Sequence, residues 1–461
     1  MVRHYRGTRV ECPYAALMAP RQLRAYAGLH FQALSSSMTT PENTLRVGFP
    51  TKGPSFRGAL ASRDFSLLFV GQVTAAVGNG VLQLALPWLV LQLTDSALQL
   101  GVAYFFQFLP MLLFGIAGGV FVDRFDRRLT IVVVDAVRAL AFLSVGLIYY
   151  LDALTVQHIY AVIFLESAMA NFFNPARAAL MPNLVKQEDL RAANSLMEIS
   201  RHIGFIIAPP AGGVLISILG ASALFLMDGI TFAISAITVF LIGWRQPPRI
   251  KEPSESWRHS VQIVLQETKA GLAVIGRQRL LQVAVLLGLS LNVIIAPIQV
   301  LMPLFVKDVK DAGPSYFGLL VAGLLVGLII GSLISPSASR KLGLGRMTIL
   351  AVVLLGVVVA IASWPPTLWP PVVAMMIAGT CVGSLNVAQT TMLQDATSDE
   401  ERGRVSASYF TATLGIRPLS FLAMGALASA VDIRLLFTAL GVFAVALGGL
   451  LYRLTEVRNH H

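Results

Sequence analysis

Charge is what this sequence most lacks. Only 13% of its 461 residues are Asp, Glu, Lys or Arg, about half the share that a soluble globular domain carries. Cysteine is almost missing too. Cys12 and Cys381 leave no room for a disulfide framework or a cysteine-built zinc site. There is also no phosphate-cradling loop, no nucleophile elbow and no HExxH helix. No enzyme, metal or cofactor is therefore expected, and ATP has no site from which to drive anything.

What the chain has instead is long apolar runs. Hydrophobic residues make up 56% of it, and its mean hydropathy is +0.72. Crossing roughly 30 Å of hydrocarbon takes about 20 apolar residues. Twelve runs qualify, near residues 65–93, 97–122, 129–151, 155–176, 192–218, 221–243, 280–306, 313–337, 347–364, 368–393, 404–430 and 433–452. They are too long, and alternate too little, to be barrel strands. The expected fold is an all-α membrane protein of twelve transmembrane helices.

Basic residues orient it. With the N-terminus placed in the cytoplasm, nearly all 35 Lys and Arg fall in the tails and even-numbered loops. Lys307, Lys310 and Arg434 fall on the opposite side, and Arg138, Arg201 and Arg417 inside spans. This bias puts both termini in the cytoplasm. The net charge of +11 is thereby topological, and no nucleic-acid partner is expected.

Residues 1–60 read as a polar cytoplasmic tail without fixed structure. Arg3, Arg6, Arg9, Arg21 and Arg24 face a single acid, Glu11, in its first 37 residues. That pattern fits a targeting segment, or a stretch preceding a true start at Met38. Residues 61–243 form a first group of six spans and 280–455 a second, with 456–461 as a C-terminal tail. Between the groups, 244–279 opens on the Pro-rich "WRQPPRIKEPSES". After Ser256, a plausible cap, Val261, Val264, Leu265, Leu272 and Ile275 follow helical spacing. An amphipathic helix on the membrane surface is expected there. The groups also repeat. An offset of 212 aligns "NPARAALMPNLV" from Asn174 with "NVAQTTMLQDAT" from Asn386, and Gly115 and Gly119 with Gly327 and Gly331. Parallel six-helix halves are expected.

The stretch "GGVFVDRFDRR" ends the second run and enters the next loop. It resembles the loop signature of the major facilitator superfamily, Gly-x-x-x-Asp-Arg-x-Gly-Arg-Arg. Gly119, Asp123, Arg124, Arg127 and Arg128 match it, and Asp126 stands where Gly is usual. "DRFDRR", "LRAANSL" and "ETKAGLAVIGRQRLL" resemble a drug:proton antiporter branch that includes macrolide-efflux proteins and the enterobactin exporter. The resemblance covers roughly residues 60–455 and implies the major facilitator fold. It also implies a cytoplasmic gate in which Asp123 meets the start of the eleventh helix, near Gly403, where unpaired amides carry partial positive charge. Arg124, Arg127 and Arg128 would assist it, or anchor topology, and Asp135 and Arg138 would support it as a pair. "APPAGGV" is similar to the antiporter motif Gly-Pro-x-x-Gly-Gly through Pro209, Gly212 and Gly213, with Ala208 in the first Gly position. The resemblance thus implies export, although close helix packing accounts for the same residues. Gly323, Gly327 and Gly331 form one stripe that lets two backbones approach.

A charge at the bilayer centre costs about 2.5–3.5 kcal/mol on insertion scales and needs a partner or a wet cavity. Glu166 lies mid-way along the fourth run, which lines the central cavity in the resembling family. It is the leading candidate for proton coupling or cargo contact, with Arg201 within reach as its partner. Glu198 and Arg201 can share a helix face. Arg417, Asn79, Gln107 and Asn292 are further cargo or coupling candidates, and Asp228 reads as a satisfied structural acid. The expected function is proton-coupled export of amphipathic small molecules from a bacterial inner membrane by a monomer. A siderophore or natural-product exporter and a lysophospholipid flippase are the alternatives. A non-transporting receptor lacks the soluble domain it would need.

Overall fold

The computed structural model describes residues 55–122, 125–247, 257–398 and 401–453, with backbone alone at 116–122, 257–261 and 263–265. Asp123, Arg124, Ser256, the packing of Gly119, and the side chains of Val261, Val264 and Leu265 therefore lie outside the described residues, as do positions 1–54. The described chain is helical throughout, and the described residues form one compact unit.

Twelve long helices carry it. In the first half they are α1 (Arg63–Thr94), α2 (Ala97–Val122), α3 (Arg127–Tyr150), α4 (Val156–Leu180), α5 (Gln187–Leu219) and α6 (Ala221–Phe240). A linker helix, Trp257–Arg277, follows. The second half contains α7 (Arg279–Val309), α8 (Pro314–Leu342), α9 (Leu344–Ala362), α10 (Trp369–Asp395), α11 (Arg402–Ala428) and α12 (Ile433–Arg453). Eleven of the twelve are long and apolar enough to cross a membrane. The exception is α4, whose 25 residues include Glu166, Asn171, Asn174 and Arg177. Its length suffices, but its hydropathy does not.

Local chemistry explains several boundaries. Ser62, Asp126 and Thr155 each accept a backbone N–H three residues on, from Phe65, Leu129 and His158, satisfying donors that the first turn leaves free. Pro314 opens α8, where no N–H is needed. Ahead of α1, Phe56–Ala61 forms a short helix capped by Ser55, and Ala59 is fully buried. That helix lies within the stretch read from sequence as tail.

The repeat is visible in the packing. α2 packs on α4 as α8 does on α10, α3 on α6 as α9 does on α12, and α1 on α5 as α7 does on α11. Both α5 and α11 are interrupted, by a wide turn over Ile203–Ile207 and by a break at Gly415 and Ile416. Ile203 and Gly415 are separated by the same 212 residues as the sequence repeat. The linker helix packs against the start of α11, where Ser408 donates to the Thr268 carbonyl at 3.1 Å.

Candidate functional site

Three of the polar residues that lower the hydropathy of α4, Glu166, Asn174 and Arg177, share a face. Glu166, Ala170, Phe173, Asn174 and Arg177 follow one another at intervals that keep one side of a helix. All five line a cavity of about 330 Å³ closed by residues of α1, α3, α5 and α6. Asn79 and Arg201 also line it. Gln107, Asn292 and Arg417 are not among its lining residues. Gln107 is half-buried on α2. Arg417 donates through Nε to the Asn292 side-chain oxygen and lies 5.7 Å from the centre of the Phe108 ring, joining α11, α7 and α2.

Arg138 is the hub of the cavity wall. Its guanidinium reaches Glu166 Oε1 at 3.2 Å and Asp135 Oδ1 at 3.8 Å. The Phe173 and Phe232 rings sit 5.3 and 5.1 Å from it, so aromatic faces supply part of the solvation that burial removes. Asp135 also accepts from Ser235 Oγ at 2.7 Å. The sequence offers Arg201 two acids, Glu198 on its own helix face and Glu166 across the helices. In the structure Arg201 binds Glu198 one turn away, at 2.7 Å, and not Glu166, and both side chains of the pair are more than half exposed. Arg138 takes the place beside Glu166 because α3 packs directly on α4. Asp228 is wholly buried, with one oxygen accepting from Thr231 at 3.0 Å and the other without a hydrogen-bond partner.

Of the loop signature, Arg127 and Arg128 are described, and both clasp helix ends of their own half. Arg127 donates to the Ala179 carbonyl at 3.1 Å, near the end of α4. Arg128 donates to the carbonyls of Val239, at 3.1 Å, and Phe240, at the end of α6. Terminal helix carbonyls lack intrahelical donors and carry partial negative charge, which a guanidinium answers.

The glycine positions divide by what they face. On α8, a Cβ at Gly323, Gly327 or Gly331 would run into the α10 backbone at Val372, Met376 or Thr380. Gly212, one turn beyond Pro209 on α5, faces Val81 of α1, while Gly213 faces the other half, against Pro314 and Gly318 of α8. A second pair of glycines, Gly101 of α2 and Gly425 of α11, meets in the same manner. Gly213 and Gly425 are repeat equivalents, 212 residues apart. Other links between the halves cluster at the same end. Lys307 pairs with Asp95, Ser217 with Ser315 at 2.6 Å, and Tyr104 and Phe108 pack on Phe421 with ring centres 5.0 Å apart. This is the Asp95 end of the bundle, opposite the Arg127 end.

A family model, the Major Facilitator Superfamily, matches residues 68–413 and 298–461. The chain belongs to the Major Facilitator Superfamily. Among its relatives is macrolide efflux protein A of Streptococcus pyogenes, 24% identical over 397 residues that cover 86% of this chain and 96% of that protein. The multidrug efflux pump Tap of Mycolicibacterium fortuitum is 27% identical over 405 residues, covering 85% and 96%. In fold the chain resembles the nucleoside transporter NupG, with a TM-score of 0.67 at 12% identity over 87% of this chain and 100% of that one. It also resembles a bacterial homologue of the iron transporter ferroportin in an inward-facing state, with a TM-score of 0.64 at 15% identity over 86% and 99%. The resemblance drawn from the loop signature is thus borne out, and this superfamily member is a multi-pass membrane protein.

Sequence reasoning missed three parts of this superfamily site. Arg177 was counted among the basic residues of a loop, since the fourth run was ended at 176 beside Pro175. The helix continues to Leu180 and turns Arg177 into the cavity. Gln72, whose side-chain oxygen accepts from Arg177 at 3.4 Å, carries no sequence signal beyond being polar in a span. The Asp95–Lys307 pair joins residues 212 positions apart, and only the fold brings them together.

Proposed function

We propose that this protein is a secondary transporter that exports amphipathic small molecules in exchange for protons, by alternating access. The observation that carries the reading is Glu166 on the cavity wall, with 19% of its side chain exposed and Arg138 shared between it and Asp135. A single guanidinium between two carboxylates leaves one negative charge unanswered. A proton or a cargo cation can answer it, but not both at once. Competition of that kind is exchange. The efflux relatives support an outward direction.

The contacts gathered at the Asp95 end support a state closed to the outside and open toward the cytoplasm. In this reading α4 is the twelfth span, its polar face turned to the cavity and away from lipid. Both termini are cytoplasmic, residues 61–243 and 280–455 are the two moving halves, and 244–279 tethers them. The membrane is a bacterial inner membrane and the working unit a monomer. Asp123 and Arg124 form the cytoplasmic latch against α11 when the halves rock. Arg127 and Arg128 support it by fixing the ends of α4 and α6.

The test is accumulation of a chemically mixed compound panel in cells, with wild type and Glu166→Gln at matched expression. Wild type lowers accumulation of some compounds and Glu166→Gln of none. In proteoliposomes, cargo dissipates a pH gradient through the wild type only. Equal coupling in Glu166→Gln removes the carboxylate from the mechanism, and a wild type without effect on any compound removes drug export.

A further inference from the structure

Arg177 is the charged group that the exchange reading leaves idle. Among the described residues no carboxylate lies within ion-pairing distance of it. Its contacts are the 3.4 Å bond to Gln72 and the Phe173 ring, whose centre is 6.0 Å away. The carboxylate that faces it at longer range, Glu198, is bound by Arg201 at 2.7 Å, so one acid is shared between two guanidiniums. An amide oxygen and a ring face supply only partial charge, and Arg177 is incompletely answered. Arg201, the other cation at the lip of the cavity, is already engaged by Glu198.

At the far end of the same stripe the imbalance has the opposite sign. Glu166 and Asp135 divide Arg138 between them. Glu166 and Arg177 stand three helical turns apart on one face of α4, about 16 Å along its axis, and the two long side chains shorten that gap. Phe173 lies between them, and Phe205 and Phe232 also line the cavity. The wall therefore presents, in order, an underpaired acid, an aromatic surface and an unpaired base.

Resting on the export reading, we propose that the cargo is a zwitterionic amphiphile: a cationic amine that competes with the proton at Glu166, an apolar or aromatic body, and an anionic group held by Arg177. Arg177 then selects cargo, while Glu166 couples it. A purely cationic cargo would leave Arg177 unanswered, and a purely anionic one would meet the unneutralised carboxylate at the other end.

A matched set of fluorescent probes separates the charges. Ciprofloxacin is zwitterionic, its ethyl ester keeps only the amine, and N-acetylciprofloxacin keeps only the carboxylate. Binding to the purified full-length protein is followed by fluorescence anisotropy. Wild type is expected to bind the zwitterion about tenfold more tightly than either derivative. Arg177→Gln lowers zwitterion affinity to that of the ester and does not weaken ester binding, which also reports an intact fold. Arg177→Lys keeps part of the preference. Equal binding of all three probes, or a parallel loss of zwitterion and ester in Arg177→Gln, overturns the inference. So does binding of none. The export reading survives each of these outcomes if the compound panel still shows efflux that depends on Glu166.

Discussion

Arg138 has more to hold than any other side chain in the first half. It spans two carboxylates and lies against two aromatic rings while 5% exposed. Removing one partner of a buried ionic group strands the other, at a cost of about 3–5 kcal/mol. Arg138→Gln strands two acids, so its thermal midpoint in detergent should fall sharply, measured by tryptophan fluorescence. Arg138→Lys should recover little, because an ammonium cannot stack flat against Phe173 and Phe232 while bridging both acids. Half of this hub was legible in the sequence: Asp135 and Arg138 are spaced three apart on one helix. The other half was not, because no spacing within α3 points to Glu166. Of the two acids open to Arg201, the one realised is Glu198, which the three-residue spacing already offered, because a partner one turn away needs no help from the fold.

At the level of single helices, backbone approach governs more than side-chain packing does. The stripe on α8 was readable from its four-residue interval alone, and its three glycines indeed meet α10. A side chain at Gly327 would strike the Met376 carbonyl. Gly327→Val should therefore separate α8 from α10 and destabilise by about 1–3 kcal/mol, as overpacking does. Gly449 on α12 is the control, since a Cβ there meets nothing within 4 Å. Gly449→Ala should be neutral or stabilising by up to about 1 kcal/mol. Paired thermal denaturation of the two variants checks both signs. The existence of the twelve long helices was legible, because run length sets it, whereas the six-residue helix Phe56–Ala61 was not. The end of α4 was not, since Pro175 sits inside the helix and Arg177 and Leu180 extend it by another turn.

Across the whole molecule, the two halves meet at the Asp95 end through glycine backbones, ring contacts on Phe421, a serine pair and the Asp95–Lys307 ion pair. The side chain of Asp95 is 81% exposed and that of Lys307 is 37% exposed. Pairs this wet contribute about 0–1 kcal/mol, so charge reversal should shift the closed–open balance by no more than about fivefold. In a background where Cys12 and Cys381 are replaced, Ala97→Cys, buried at the seam beside Gly425, reports opening through its reaction with an impermeant maleimide. Lys307→Asp should raise labelling by that modest factor, and Asp95→Lys with Lys307→Asp should return it to the starting rate. Equal labelling in all three would exclude the pair from closure. The repeat made twofold packing foreseeable, and it relates Gly213 to Gly425, yet neither motif nor period tells that these two face the opposite half while Gly212 faces its own.

Those glycine pairs bear on speed as well as fit. At Gly101 against Gly425 and Gly213 against Gly318, the surfaces in contact are main chain, with no side chains from these residues wedged into sockets. Interlocked side chains must leave their rotamer wells before two helices can part, whereas smooth surfaces separate without that toll. At these two glycine contacts the joint resembles a polished bearing, whereas beside them Tyr104 and Phe108 mesh with Phe421. What resists opening is the aromatic teeth and not the glycine bearing, and that resistance is what cargo and proton at Glu166 have to overcome.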